Sequence, residues 1–133
     1  MMPSVTPPTW EHRVLLVDDE EDILNFVTRG LKSQGFKVET FRNPVHALSY
    51  FRPRYYDTII LDVRMPEMTG FDLAREIWQE GARICFFSAS EEHENEALQI
   101  FTGKEYCFIK KPIRLNDLIA HIHQHVYEEA ISR

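Results

Sequence analysis

Short apolar runs alternate along this chain with longer stretches in which apolar residues recur at helical spacing. The runs hold few polar positions, which is typical of strands that are buried on both faces of a sheet. They predict five strands, at residues 14–17, 37–41, 58–61, 84–87 and 106–109. The second strand is weaker than the others because it carries charged residues.

The segments between these runs carry helical patterns. In the first segment, apolar residues at i, i+3, i+4 and i+8 share one face of a helix, namely Ile23, Phe26, Val27 and Leu31. Gly35 is the expected stop of that helix, and Asn43 before Pro44 is the pattern of a helix start. A short helix follows there, and similar spacing predicts three more, at residues 71–78, 91–101 and 115–126.

Strand and helix therefore alternate five times, which is the pattern of an α/β domain. Apolar strands in strict alternation with helices predict a parallel sheet with helices on both faces. We expect the flavodoxin-like (βα)5 three-layer sandwich, with strand order 2-1-3-4-5. Residues 13–133 would form this one domain, and residues 1–12, with several prolines and small polar residues, would form a flexible tail.

Composition narrows the classes of function. The 133 residues include 15 Lys and Arg against 21 Asp and Glu, a formal net charge of -6. This balance disfavours direct binding to nucleic acid or to an anionic membrane surface. No apolar run approaches the roughly 20 residues of a membrane span. Cys85 and Cys107 are too few for a disulfide scaffold, are interpreted as small buried residues on neighbouring central strands, and fit a cytoplasmic protein.

Polar side chains stand where the strands end. Asp18 and Asp19 follow the first strand, Asp62 the third, Ser88 the fourth, and Lys111 lies just past the fifth. Because the carboxyl ends of parallel strands meet at one edge, we expect these side chains to converge. Two carboxylates about 4 Å apart repel by about 4 kcal/mol at an effective dielectric of about 20, so the cluster needs a cation or protons. Oxygen ligands of this kind suit Mg²⁺.

The same residues suit a phosphoryl group. Asp62 is a candidate nucleophile that would form an aspartyl phosphate. Lys111 and Mg²⁺ would neutralise the oxygens of the transferred group, and Ser88 would offer a hydroxyl donor.

Four motifs in this order and spacing resemble the receiver domain of two-component response regulators. They are Val14-Leu15-Leu16-Val17-Asp18-Asp19-Glu20, Ile60-Leu61-Asp62-Val63-Arg64-Met65-Pro66 with Gly70, Phe87-Ser88-Ala89 and Lys111-Pro112. The resemblance extends from about residue 13 to residue 127 and includes a motif at each of four strand ends.

The resemblance implies a role for each pocket residue. Asp62 would accept a phosphoryl group from the histidine of a sensor histidine kinase. Mg²⁺ would be bound directly by Asp19, Asp62 and the backbone carbonyl of Arg64, and by Asp18 through a water molecule. The side chain of Arg64 would face the mouth of the pocket, where it would influence the attack of water on the phosphate.

The resemblance also implies a switch. Lys111 would pair with the phosphoryl oxygens and would precede Pro112 through a cis peptide bond. Ser88 would move towards the phosphate, and Phe108 would follow it inward. A tyrosine is frequent in the family where this chain has Phe108, so no switch hydroxyl is expected at this position.

Other functions fit the sequence less well than a non-enzymatic phosphoacceptor module. An aspartate-nucleophile phosphatase needs a second acid two residues after the nucleophile, where this chain has Arg64. A flavin-binding module needs a phosphate cradle after the first strand, where acidic residues would repel a phosphate. An intermediate in a phosphorelay, which passes the phosphate to a histidine phosphotransfer protein, stays open beside a regulator that binds a downstream target.

Several properties are left open. The chain is expected to be a stand-alone receiver or the receiver part of a longer protein, and a monomer or a phosphorylation-dependent dimer.

Three histidines near the end, His121, His123 and His125, are interpreted as a solvated helix surface, because only the first and last share a face.

Overall fold

Strands and helices alternate strictly in the computed structural model, which describes residues 11–79 and 81–132, with side chains described as far as residue 123. The strands are β1 (Arg13–Val17), β2 (Lys37–Phe41), β3 (Thr58–Asp62), β4 (Arg83–Ser88) and β5 (Cys107–Lys110). The helices are α1 (Glu21–Ser33), α2 (Pro44–Ser49), α3 (Gly70–Ile77), α4 (Glu91–Ile100) and α5 (Leu115–Ser132). No helix among the described residues is both long and apolar enough to cross a membrane.

The strands form one parallel sheet in the order β2-β1-β3-β4-β5, which confirms the predicted fold class. Successive side chains of β1 enter different cores, since residues of a strand point alternately to the two faces. Leu15 packs in a core with α2, α3 and α4, whereas Leu16 packs in a core with α1 and α5. Both faces are therefore covered, which explains why the strands contain so few polar positions.

Helix ends lie where the turn residues of the sequence predict them. The side chain of Asn43 accepts hydrogen bonds from the backbone N–H groups of Val45 and His46 at the start of α2. Gly35 follows α1 with a φ of 90°, a conformation that glycine adopts without steric strain, and its N–H donates to Lys32 O.

The predicted buried face of α1 is wrong at Phe26, whose exposed fraction is 52%. The buried face keeps Val27 and Leu31 of the prediction and includes Leu24 in place of Phe26. The apolar residues of α1 are compatible with more than one orientation of the helix about its axis. Packing against α5 selects the orientation in which Gly30 lies directly beneath the side chain of Leu115.

Two placements at the edges of the fold also differ from expectation. Cys85 and Cys107 are opposite each other in register, but Cys107 lies on β5, which is an edge strand and not a central one. His12 falls within the predicted tail, yet it is buried and its Nε2 lies 2.8 Å from Thr58 Oγ1. The packed structure thus begins just before β1, while residues 1–10 of the expected tail lie outside the described residues.

Candidate functional site

The side chains at the strand ends converge at one edge of the sheet, as expected from the sequence. Lys111 Nζ lies 3.0 Å from Asp18 Oδ2 and 3.2 Å from Asp62 Oδ1. Asp18 follows β1, Asp62 ends β3 and Lys111 follows β5, so the contacts join three segments that are distant in the sequence. Asp62 and Lys111, together with Asp19 and Ser88, line an open cleft of about 670 Å³.

Asp18 is fully engaged by the protein. Its exposed fraction is 0%, and its Oδ1 accepts a hydrogen bond of 2.9 Å from the N–H of Glu20 at the start of α1. Its Oδ2 accepts from Lys111 Nζ. Asp19 is less buried and lines the cleft. Asp18 therefore orients Lys111 and the start of α1, while Asp19 offers its carboxylate to the cleft.

Asp62 has an unfavourable environment for a charged carboxylate. Burial, followed by the charge of Asp18, raises the pKa of Asp62 from its ordinary value of 3.8 to about 7, although Lys111 acts to lower it. A hydrogen bond with Asp19 contributes a smaller part of this rise in the pKa of Asp62. The carboxyl groups of Asp62 and Asp19 are thus close enough to share either a proton or a cation.

Lys111 remains charged in this setting. Burial acts to lower the pKa of Lys111, but the hydrogen bond to Asp18 and the charge of Asp62 outweigh it, so that this pKa is raised. The N–H of Lys111 also donates to Ser88 O at 2.8 Å, and the peptide bond between Lys111 and Pro112 is cis. The two carboxylates therefore hold the ammonium group, and the backbone hydrogen bond fixes the backbone of Lys111 beside the end of β4.

Gly70 allows the first turn of α3 to contact the end of β3. A Cβ atom at this position would collide with the backbone carbonyl oxygen of Asp62. The N–H of Gly70 donates to Val63 O at 2.9 Å, and a capping box between Thr69 and Asp72 begins the helix. This short loop positions Asp62 from its backbone.

Ser88 is buried at the end of β4, and its hydroxyl contacts His93, which no sequence motif includes. Its Oγ lies 2.5 Å from His93 Nδ1 and accepts a hydrogen bond of 3.1 Å from the N–H of Ser90. His93 lies in the first turn of α4, five residues after Ser88. The acidic, weakly periodic sequence of that helix contains no signal that would single out this histidine.

Phe108 and Arg64 occupy the positions expected from their strands and loops. Phe108 lies opposite Phe86 in the register of β4 and β5, is half-buried, and packs against the core shared with α4. Arg64 is exposed and lines the cleft. Movement of Phe108 and metal binding by the backbone carbonyl of Arg64 remain predictions.

The acidic residues after β1 are compatible with a hard cation. Each of Asp18, Asp19 and Glu20 has a carboxylate oxygen within 4.8 Å of the others. Oxygen ligands in such a cluster, open on one side to water, match the preference of Mg²⁺. Glu20, the last residue of the first sequence motif, also lines the cleft, and its carboxylate adds negative charge there.

The remaining candidates lie away from the cleft. Cys85 and Cys107 are buried free cysteines, and the hydrogen bond with Cys85 lowers the pKa of Cys107, assisted by Arg83 and opposed by burial. The ring of His123 packs edge-on against Phe36 at 5.3 Å, and the side chain of His125 lies outside the described residues. Among the described residues, the acids after β1 are the one cluster with metal-ligand spacing.

Proteins of known family are similar to this chain in sequence or in fold. The response regulator SaeR of Staphylococcus aureus is 28% identical over 110 residues, which cover 82% of this chain and 48% of SaeR. The chain thus spans about half the length of the curated relatives it matches. Chemotaxis protein CheY4 of Vibrio cholerae has 27% identity and a TM-score of 0.73, with 86% of this chain and 98% of that chain covered.

A second solved structure supports the fold alone, because its identity is low. The CheY-like receiver domain protein of Methanospirillum hungatei gives a TM-score of 0.80 at 23% identity and covers 93% of this chain and 100% of its own. Residues 14–123 match the family described as the response regulator receiver domain, which is most of the chain. Together with the convergence of the acidic pair, Asp62, Ser88 and Lys111, this match shows that the chain belongs to the receiver domains of two-component response regulators.

Proposed function

We propose that Asp62 is the phosphoacceptor of this receiver domain. Its carboxylate would attack the phosphorus of a phosphohistidine on a sensor histidine kinase, and the P–N bond would break as the imidazole leaves. The position of Asp62 carries this proposal: it ends the central strand, faces the cleft and contacts Lys111. In this proposal the chain is a cytoplasmic signalling module that accepts a phosphoryl group, and it is not an enzyme.

The charge of the cleft supports a requirement for a divalent cation. The acids at the cleft, which are residues 18–20 and Asp62, outnumber its cations, Lys111 and Arg64, so a phosphoryl dianion would meet net negative charge. The raised pKa of Asp62 means that a large fraction of this carboxyl is protonated near neutral pH, and a protonated carboxyl is a poor nucleophile. A bound cation would lower that pKa and favour the reactive carboxylate.

Mg²⁺ fits the residues present. We infer that the carboxylates of Asp19 and Asp62 and the backbone carbonyl of Arg64 would hold the ion. Asp18 would act through a bound water, because its two oxygens already accept from Glu20 and Lys111. When bound, Mg²⁺ would neutralise the oxygens of the transferred phosphoryl group.

Ser88 and Phe108 would convert phosphorylation into a change of shape. The phosphoryl group adds negative charge and acceptor oxygens, and Ser88 is placed to donate to one of them. Phe108 packs in the core next to β4 and would move into the space that Ser88 leaves. The altered surface would be recognised by a downstream target protein or by a histidine phosphotransfer protein.

Labelling of Asp62 tests the proposed function. Incubation with a small acyl-phosphate donor and Mg²⁺ should add one phosphoryl group, detected by intact mass. Asp62→Asn should abolish this labelling, whereas Asp22→Asn, which changes an exposed acid in the first turn of α1, should leave it intact. Labelling of Asp62→Asn at the rate of the unchanged chain would refute the assignment.

Titration with Mg²⁺ tests the metal site separately. The ion should shift the amide resonances of residues at the ends of β1 and β3, and Asp19→Ala should remove this response. Asp22→Ala is the matched control and should retain it. A response that survives Asp19→Ala would place the metal elsewhere.

A further inference from the structure

The hydroxyl of Ser88 is committed to α4 in the unphosphorylated chain. Its Oγ lies 2.5 Å from Nδ1 of His93 and accepts a hydrogen bond from the N–H of Ser90. A serine hydroxyl has one proton to donate. To donate a hydrogen bond to a phosphoryl group on Asp62, the hydroxyl of Ser88 must first give up the acceptor to which it now donates.

We propose, on the basis of the proposed role of Asp62, that His93 is a positioning residue for the switch. Its Nδ1 accepts the hydroxyl proton of Ser88 while Asp62 is unphosphorylated. The imidazole of His93 and the phosphoryl group then compete for the one hydrogen bond that the hydroxyl of Ser88 can donate. His93 therefore stabilises the resting arrangement, and phosphorylation releases it.

The surroundings of His93 hold its ring at Ser88. The N–H of His93 donates to Ser90 O at 3.2 Å in the first turn of α4. The ring packs edge-on against Phe71, with centroids 6.1 Å apart. Phe71 in turn packs in the core, 5.0 Å from Phe86 between ring centroids. The imidazole thus packs against the core on one side, and it also lines the cleft beside Ser88.

The release of His93 would first affect the N-terminal turn of α4. The buried residues that anchor this helix, Ala97 and the C-cap Phe101, lie further along it, so few apolar contacts fix its first turn to the sheet. The hydrogen bond between Ser88 and His93 is a direct side-chain link between the cleft and the first turn of α4. Its loss would free that turn to move, which connects the state of Asp62 to the surface of the helix.

The affinity of the full chain for beryllofluoride in the presence of Mg²⁺ measures the competition. His93→Phe keeps a ring against Phe71 and removes the acceptor, and should tighten binding by about threefold to tenfold, the effect of one hydrogen bond. His93→Asn retains an acceptor near the position of Nδ1 and should bind as the unchanged chain does. In a Ser88→Ala background, His93→Phe should have no effect.

The protonation of His93 provides an independent readout. Nitrogen chemical shifts of the unphosphorylated chain should show Nδ1 without a proton and Nε2 with one. A proton on Nδ1 would overturn the inference, and so would unchanged or weaker beryllofluoride binding by His93→Phe. The nitrogen shifts and His93→Asn decide the matter if His93→Phe does not fold. Failure of acyl-phosphate labelling at Asp62 in the unchanged chain would instead refute the proposed function, and the nitrogen shifts would still report on Ser88 and His93.

Discussion

At Asp62, a buried carboxylate lies beside the buried carboxylate of Asp18, and Lys111 contacts both. Burial and the charge of Asp18 raise the pKa of Asp62 to about 7. The folded chain therefore binds a proton that the unfolded chain, with a pKa of 3.8 for this group, releases at lower pH. Above pH 7 the charged form of Asp62 lowers the stability of the fold, whereas below about pH 4 the group is neutral in both states and has no effect. Local destabilisation of this kind is expected at a functional site.

Asp62→Asn should stabilise the chain when divalent cations are removed by a chelator. Near pH 8 the gain should be about 1–2 kcal/mol, less than the shift in pKa implies, because water in the open cleft screens the charge. It should decrease as the pH falls through 7 and vanish near pH 4. Urea unfolding at several pH values measures it, with Asp22→Asn as a control of near-zero effect. A gain that does not depend on pH would contradict this cause.

Among the elements, the contact between the first turn of α3 and the end of β3 has the tightest geometry at the site. A side chain at Gly70 would meet the rigid backbone carbonyl of Asp62, whereas a side chain at Gly30 would meet the flexible end of Leu115. Substitution of Gly70 thus tests a collision with backbone, and substitution of Gly30 tests a collision with a side chain. A change of rotamer cannot relieve the collision at Gly70.

Gly70→Ala should lower the free energy of unfolding by roughly 2–3 kcal/mol and should slow acyl-phosphate labelling, because either α3 or Asp62 must move. Gly30→Ala is the matched control within α1. Its loss should be less than about 1 kcal/mol, since alanine favours the helix and Leu115 can adjust. Chemical denaturation and labelling rates measure both. Equal losses in the two variants would show that contact with the Asp62 backbone is not the cause.

In the whole molecule, the helices differ in how firmly they are attached to the sheet. Phe71, Leu73, Ala74 and Ile77 of α3 are buried in the core that α4 shares, whereas Ala97 is the one buried residue of α4 between Glu91 and Ile100. Ser88 and Phe108 lie on β4 and β5, next to α4. Phosphorylation of Asp62 should therefore first change the surface of the molecule that α4, β5 and α5 form at the β5 edge of the sheet.

Amide hydrogen exchange with and without beryllofluoride and Mg²⁺ tests this expectation. Exchange should change in α4, at Ser88 and around Phe108, while the protected strands β1 and β3 should change little away from their carboxyl ends. Because Phe108 has no hydroxyl, the change should reflect packing more than hydrogen bonding. Changes confined to α1 and α2, with Ser88 and Phe108 unaffected, would show that this chain does not switch through β4 and β5.

The sequence by itself determined the alternation of strands and helices, the order of the sheet and the edge at which the polar residues meet. These features follow from local patterns: apolar runs make strands, and right-handed parallel crossovers leave few topologies. Asp18, Asp62 and Lys111 could be placed together because each directly follows or ends an apolar strand, so the topology alone brings them to one edge.

Only the tertiary structure decided which atoms meet. Phe26 fits the helical pattern of α1 yet is exposed, because contact with α5 sets the rotation of the helix. The hydrogen bond between Ser88 and His93, the sharing of Lys111 by two carboxylates, and the burial of His12 against Thr58 each depend on the distance between particular side chains. Periodicity and spacing define the face or strand end on which a residue lies, whereas partner choice depends on packing between segments that are far apart in the sequence or on the exact direction of a side chain.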